Sequence, residues 1–194
     1  SIIQQAHPDA RLVVAGAGKE RRALERLALA LRLKQTTFTG RVEPDRMREL
    51  YDCADIYLNS SNIDNMPGSI LESFACGLPV VTTNAGGIPY IVRHEETGLM
   101  VDRNDHQALA AAAMRLLKDR ELARKIILNA RAECHKYQWS SVRNQWIDLY
   151  ADIVGGSSTV ASASTAPPAL AQAATATVNH QTYLKESAGQ GVRQ

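Results

Sequence analysis

Short apolar runs alternate with longer stretches of helical spacing along residues 11–153. Residues 11–15 form a β-branched run closed by Gly16 and read as a strand buried on both faces. Residues 20–34 then place Leu24, Leu27, Ala28 and Leu31 at helical spacing. A second strand is expected at 36–39, closed by Gly40. Pro44 stands where a helix can begin without losing a needed N–H, and Met47, Leu50, Tyr51 and Ala54 form the apolar stripe behind it. Residues 55–59 read as a third strand, 69–76 as a short helix stopped by Gly77, 79–83 as a fourth strand and 98–101 as a fifth. Three helices follow, near 105–118, 119–135 and 140–153, with Asn104, Asp119 and Ser140 as their expected N-caps. The opening residues, Ser1 to Ala6, read as the last turn of a helix, so the chain is expected to be a cut fragment.

Repeated strand–helix–strand units imply an α/β fold with parallel strands and helices on both faces of the sheet. Ligands of such sheets sit at the carboxyl ends of the strands. The loops after Ala15, Thr39, Asn59 and Thr83 are therefore the ones to read for chemistry.

Composition limits the picture in three ways. From Gly155 onward Ala, Ser, Thr, Gln and Gly dominate, with Lys185, Glu186 and Arg193 the formal charges and Tyr183 the aromatic residue. Such a stretch buries too little apolar surface to offset chain entropy, so two regions are expected: a folded domain at 1–154 and a disordered tail at 155–194. The net charge of +2 gives no support for a nucleic-acid partner. Cys53, Cys76 and Cys134 fit neither a disulfide framework nor a zinc pattern, which leaves a reducing cytoplasm as the expected compartment. No apolar run is long enough to span a bilayer. The five histidines are scattered, and Trp139 and Trp146 read as packing residues.

The candidate chemistry lies in four loops. Gly16-Ala17-Gly18 follows the first strand and precedes a helix, as a tight turn or as a loop near a phosphate. Arg21 occupies the place of the third glycine of a dinucleotide fingerprint. Gly40-Arg41-Val42 ends the second strand; it is either a generic turn or a place where a flat ring meets backbone and Arg41 stacks or pairs. After the third strand, Asp64, Asn65, Met66, Pro67, Gly68 and Ser69 lead into a helix that carries Glu72. The first N–H groups of that helix lack internal partners and suit an anion or sugar hydroxyls. Asp64 and Glu72 can accept hydrogen bonds from sugar and ribose hydroxyls; alternatively they are a surface loop acid and a solvated helical acid. Gly86-Gly87 follows the fourth strand and either permits close approach of a ligand or makes a turn.

In series, Gly16-x-Gly18, 38–42, the acidic pair Asp64 and Glu72, 75–81, Gly86-Gly87, 96–99 and the Trp139 region resemble the donor-binding domain of retaining, family-four-type glycosyltransferases of the GT-B fold. The resemblance covers most of residues 8–150 and departs at two places. Asp64 stands where the family usually has Glu, and Tyr90 where it usually has Glu after the double glycine. It implies a doubly wound, Rossmann-like sheet, the C-terminal half of GT-B, lacking its central first strand. It implies that Glu72 holds the ribose, that Asp64 and the backbone after it hold the donor sugar, and that the glycine after the second strand lies by the base. It further implies transfer from a nucleotide-diphosphate sugar with retention, no obligatory metal and no other cofactor. The glycan or lipid acceptor would be held by an N-terminal domain, together with an Arg and a Lys that neutralise the diphosphate. The whole protein would be cytoplasmic, with peripheral association at the inner membrane face, and residues 1–194 alone would bind donor without turnover. The alternatives are a nucleotide-sugar epimerase of GT-B architecture and a non-catalytic nucleotide-sugar-binding module.

Overall fold

A computed structural model of the protein describes residues 1–154. The expected tail at 155–194 lies outside the described residues. Ser1–Asp148 forms one compact unit. It begins with α1 (Ile2–Ala6), β1 (Leu12–Ala15), α2 (Arg21–Ala30), β2 (Thr36–Gly40) and α3 (Pro44–Asp52). It continues with β3 (Tyr57–Asn59), α4 (Gly68–Cys76), β4 (Val80–Thr83) and β5 (Leu99–Val101). The helices α5 (His106–Lys118) and α6 (Arg120–Cys134) follow, and α7 (Trp139–Ile153) starts within the unit.

The strand–helix alternation read from the sequence is present, and every strand pair is parallel. The strands form two sheets, one of order β1–β2 and one of order β3–β4–β5. Among the described residues β1, β2, β3 and β5 each have one strand neighbour, and no strand pairing joins the two sheets.

The core is built on β4. All four of its residues are buried, as parallel strands covered on both faces require. Val80 joins Ile70 and Phe74 of α4, Ile88, Ile91 and Val92 of the following turn, and Ala130 of α6. Val81 points the other way, to Leu99, to Ala113 and Leu116 of α5, and to Ile126 of α6. Alternation along one strand thus feeds two clusters, one per face. The helix α4 ends at Gly77, which takes the left-handed conformation of a C-cap.

Some expectations are corrected. β1 is not buried on both faces: its residues alternate between half-buried and exposed, and Val13 is 48% exposed. The stripe on α2 stays open as well, with Leu24, Leu27 and Leu31 all exposed and no buried residue in the helix. Of the four stripe residues only Ala28 is half-buried; the neighbouring sheet has two strands, too little surface to cover the leucines. Asp105, not Asn104, caps α5, accepting from the Ala108 N–H at 2.8 Å, while Asn104 takes the left-handed turn before it at φ 64. Asp119 caps α6 as expected. Ser140 is not a cap, because α7 already begins at Trp139. Trp139 and Trp146 are 69% and 48% exposed, so neither is a core packing residue. Near the start, the Gln4 side chain donates to Ala10 and Lys34 carbonyls and accepts from the Lys34 N–H, tying α1 to the loop before β2.

Candidate functional site

The loops after β1 and β2 meet. The Gly16 N–H donates to the Gly40 carbonyl at 2.9 Å, across a register shift between Val14 and Ala15. Gly40 has φ +73, and a Cβ there would lie 3.0 Å from Nη1 of Arg21. That guanidinium donates to the Phe38 carbonyl at 3.1 Å and pairs with Glu25 at 2.8 Å. The residue in the third-glycine position therefore fastens α2 to the end of β2. Around Gly16 and Gly18 an added Cβ would meet nothing within 4 Å, so the space over this turn is open. The Arg41 side chain is 87% exposed, with Glu43 at 3.9 Å, and Val42 is half-buried.

The acidic loop is held from below. Asn59 accepts from the Ser61 N–H at 2.8 Å, and Thr83 of β4 donates to the Ser61 carbonyl. The Gly87 N–H donates to the Asp64 carbonyl at 3.0 Å. A Cβ on Gly86 would lie 2.0 Å from the Asp64 carbonyl oxygen, and one on Gly87 would lie 2.0 Å from that of Asn65. The double glycine thus lets the backbone of the loop after β4 pack directly on the backbone of residues 64 and 65. Its close approach is to the protein's own acidic loop.

The helix α4 opens at Pro67, and no side chain caps it. A Cβ on Gly68 would meet nothing within 4 Å, which leaves the first turn accessible. Ser69, in that turn, accepts from the Tyr57 hydroxyl at 2.7 Å. One turn on, the exposed Glu72 accepts from the Tyr51 hydroxyl at 2.8 Å. The two tyrosine rings meet edge-on, with centroids 6.1 Å apart. Burial raises the Tyr57 phenol above its ordinary value, the Ser69 bond opposes the rise, and the charges of Glu72 and Asp64 add to it. Burial and Glu72 likewise push the Tyr51 phenol up, so both phenols keep their protons and donate.

The structure gathers Asp64, Asn65, Gly86 and Gly87 at one point, and Glu72 and Ser69 along α4 beside it. Gly16 and Gly40 meet at the end of the other sheet. Sequence reading missed Tyr51 and Tyr57. Tyr51 was counted only as part of the stripe on α3, although a buried phenol calls for a hydrogen-bond partner. Among the described residues no three His, Cys, Asp or Glu side chains gather as a metal site. A shallow hollow on α6, lined by Glu121, Arg124, Lys125, Leu128 and Asn129, shares no residue with this edge.

Residues 1–133 match the family described as glycosyl transferases group 1. The chain belongs to that family. N-acetyl-alpha-D-glucosaminyl L-malate synthase of Bacillus anthracis is 30% identical over 148 residues, which is 75% of this chain and 38% of that protein. Among solved structures, sucrose-phosphate synthase from Thermosynechococcus elongatus superposes with a TM-score of 0.71 at 29% identity, covering 79% of this chain and 41% of that one. The Anabaena protein Alr3699/HepE, solved in complex with UDP, reaches 0.70 at 22% identity over 78% of this chain and 44% of that one, which shows the fold. The chain spans less than half the length of each of these three proteins. Within the group 1 chain described here, Ile63, Met66 and Tyr90 stand 92%, 51% and 89% exposed on the two loops joined by the double glycine. Tyr90 has an open position in place of the family's usual Glu, and nothing in the structure explains the change. No helix among the described residues is long and apolar enough to cross a membrane.

Proposed function

We propose that this chain is the donor-binding part of a retaining glycosyltransferase, one that takes a nucleotide-diphosphate sugar and passes its sugar to a glycan or lipid acceptor. The observation that carries it is the placement of Glu72, bonded by the Tyr51 hydroxyl, beside the uncapped start of α4, with the Asp64 loop leading into that helix and seated on the double glycine. In this role Glu72 accepts from the ribose diol. Asp64, with the backbone of Asn65, Met66, Pro67, Gly68 and Ser69, holds the donor sugar. The free N–H groups and dipole of α4 bear on the diphosphate, where they stabilise charge that grows as the leaving group departs. The open turns at Gly16, Gly18, Gly40, Arg41 and Val42 lie by the base. Gly86 and Gly87 serve by fixing the height of the acidic loop.

The acceptor would be held by a separate N-terminal domain, and a further strand would pair with the free edges of β1 and β3. The whole enzyme would work in the cytoplasm, associated peripherally with the inner membrane face. One relative, Anabaena Alr3699/HepE, solved with UDP and with UDP-glucose, supports a nucleotide-sugar donor.

Calorimetric titration of the intact protein with UDP-sugars and GDP-sugars tests the assignment. A hydrogen bond to a charged group contributes about 1.5–3 kcal/mol, so Glu72→Ala should weaken donor binding about 10- to 100-fold. Unchanged affinity in Glu72→Ala would remove Glu72 from the site. Interconversion of the donor sugar without any acceptor would favour an epimerase instead.

A further inference from the structure

We propose that Tyr51 is a positioning residue: its buried phenol fixes the Glu72 carboxylate through Oε2 and presents Oε1 to the ribose hydroxyls, an inference that rests on Glu72 being the ribose ligand. Glu72 is exposed on α4. An exposed Glu on a helix samples many rotamers, and holding it still on binding carries an entropic cost. Here the cost is met in advance. Tyr51 is 8% exposed, its hydroxyl lies 2.8 Å from Oε2, and its ring is set edge-on against Tyr57.

The chemistry of the anchor matters as well. Among the described residues no Lys or Arg forms an ion pair with Glu72. A cation there would neutralise the carboxylate and compete with the incoming diol. A neutral phenol holds one oxygen and leaves the negative charge, and the lone pairs of the other oxygen, for the ligand. Because burial and Glu72 both keep the proton on Tyr51, the phenol acts as a donor and never as a second anion. Tyr57 completes the bracket by holding the Ser69 hydroxyl one turn earlier. The two phenols, on α3 and β3, thus set Ser69 and Glu72 of α4.

The test compares each of UDP and GDP with its 2′,3′-dideoxy counterpart in the intact protein. Wild type should prefer the ribonucleotide of the base it binds, Glu72→Gln should reduce that preference to near unity, and Tyr51→Phe should reduce it about 3- to 10-fold. The affinity for the dideoxy compound should not change in Tyr51→Phe, and in a Glu72→Gln background the phenylalanine should have no further effect. A merely structural role would lower both affinities together and persist in the double variant. Should Tyr51→Phe fail to fold, tetrafluorotyrosine at that position keeps the hydroxyl but ionises at much lower pH. The ribose preference should then fall as pH rises through that ionisation. A full preference retained in Tyr51→Phe, or in the ionised fluorotyrosine protein, while Glu72→Gln abolishes it, overturns the role of Tyr51 and leaves the donor site standing. A wild type with no ribose preference, or Glu72→Gln that keeps it, overturns the donor-site assignment and this proposal with it.

Discussion

The β1–α2–β2 unit and the β3–α4–β4 unit follow the same order of strand, helix and parallel strand, yet they differ in what they bury. The first contributes no buried hydrophobic residue: the earliest such residue in the chain is Tyr51. The second holds Ile70, Phe74, Val80 and Val81 at 3% exposure or less, with Ser73 and Thr82 sealed among them. The difference lies in neighbours. β4 has a strand on each side and an apolar cluster on each face, whereas β1 has a single strand beside it. Apolar spacing decides which way a side chain faces; burial requires something on that side to receive it.

Phe74→Ala should break the packed unit most severely. Its ring is fully buried in the cluster with Ile70 and Val80, and truncation should cost about 3–5 kcal/mol, read as the midpoint shift in urea unfolding. Gly87→Ala tests the joint between the two ligand-edge loops. The new methyl would meet the Asn65 carbonyl, so the backbone must move, at about 1–3 kcal/mol. The same variant should weaken donor binding, whereas Phe74→Ala at a temperature where it remains folded should not.

A smaller effect is expected at Glu133. Burial raises its pKa, but Lys136 and Arg93 outweigh burial and hold the carboxyl below its ordinary value. The folded protein therefore takes up this proton at lower pH than the unfolded chain. The stabilisation is complete above the ordinary Glu range near pH 4.3 and is lost as pH falls through the depressed value. Glu133→Gln should cost about 1 kcal/mol at neutral pH, because both cations are partly solvated, and should flatten the acid limb of the stability profile. Smallest of all, Leu27→Ala in the exposed stripe of α2 should change stability by no more than about 0.5 kcal/mol. A loss comparable to that of Phe74→Ala would show that the two units share one core.

Much of the fold was legible because its signals are local. Strand runs closed by Gly16 and Gly40, the Gly77 stop of α4, the proline opening α3, and the Asp119 cap all act within a few residues. Asn104 was taken for Asp105 because both side chains suit a cap and only the backbone turn tells them apart. That Asp64 lies in the loop before α4 and Glu72 on that helix was legible from residue type and spacing. The double glycine signals close approach, but not to what: its neighbour is the backbone at 64–65, 22 residues earlier in the chain, which no spacing rule connects to 86–87. Tyr51 and Tyr57 escaped notice because a phenol in an apolar stripe looks like packing until its hydroxyl finds a partner on another helix.

The placement of the two tryptophans has an optical consequence. Both lie on α7, at Trp139 and Trp146, and both are substantially in contact with solvent in the folded protein. Indole emission from this chain should therefore already sit near its aqueous wavelength before any denaturant is added, and melting of the β4 core should barely shift it. The interior carries a different chromophore. Tyr51 and Tyr57, set edge-on near Glu72, contribute a phenolic absorption from the site alongside that of the chain's other tyrosines, so only the indole signal belongs to α7 alone.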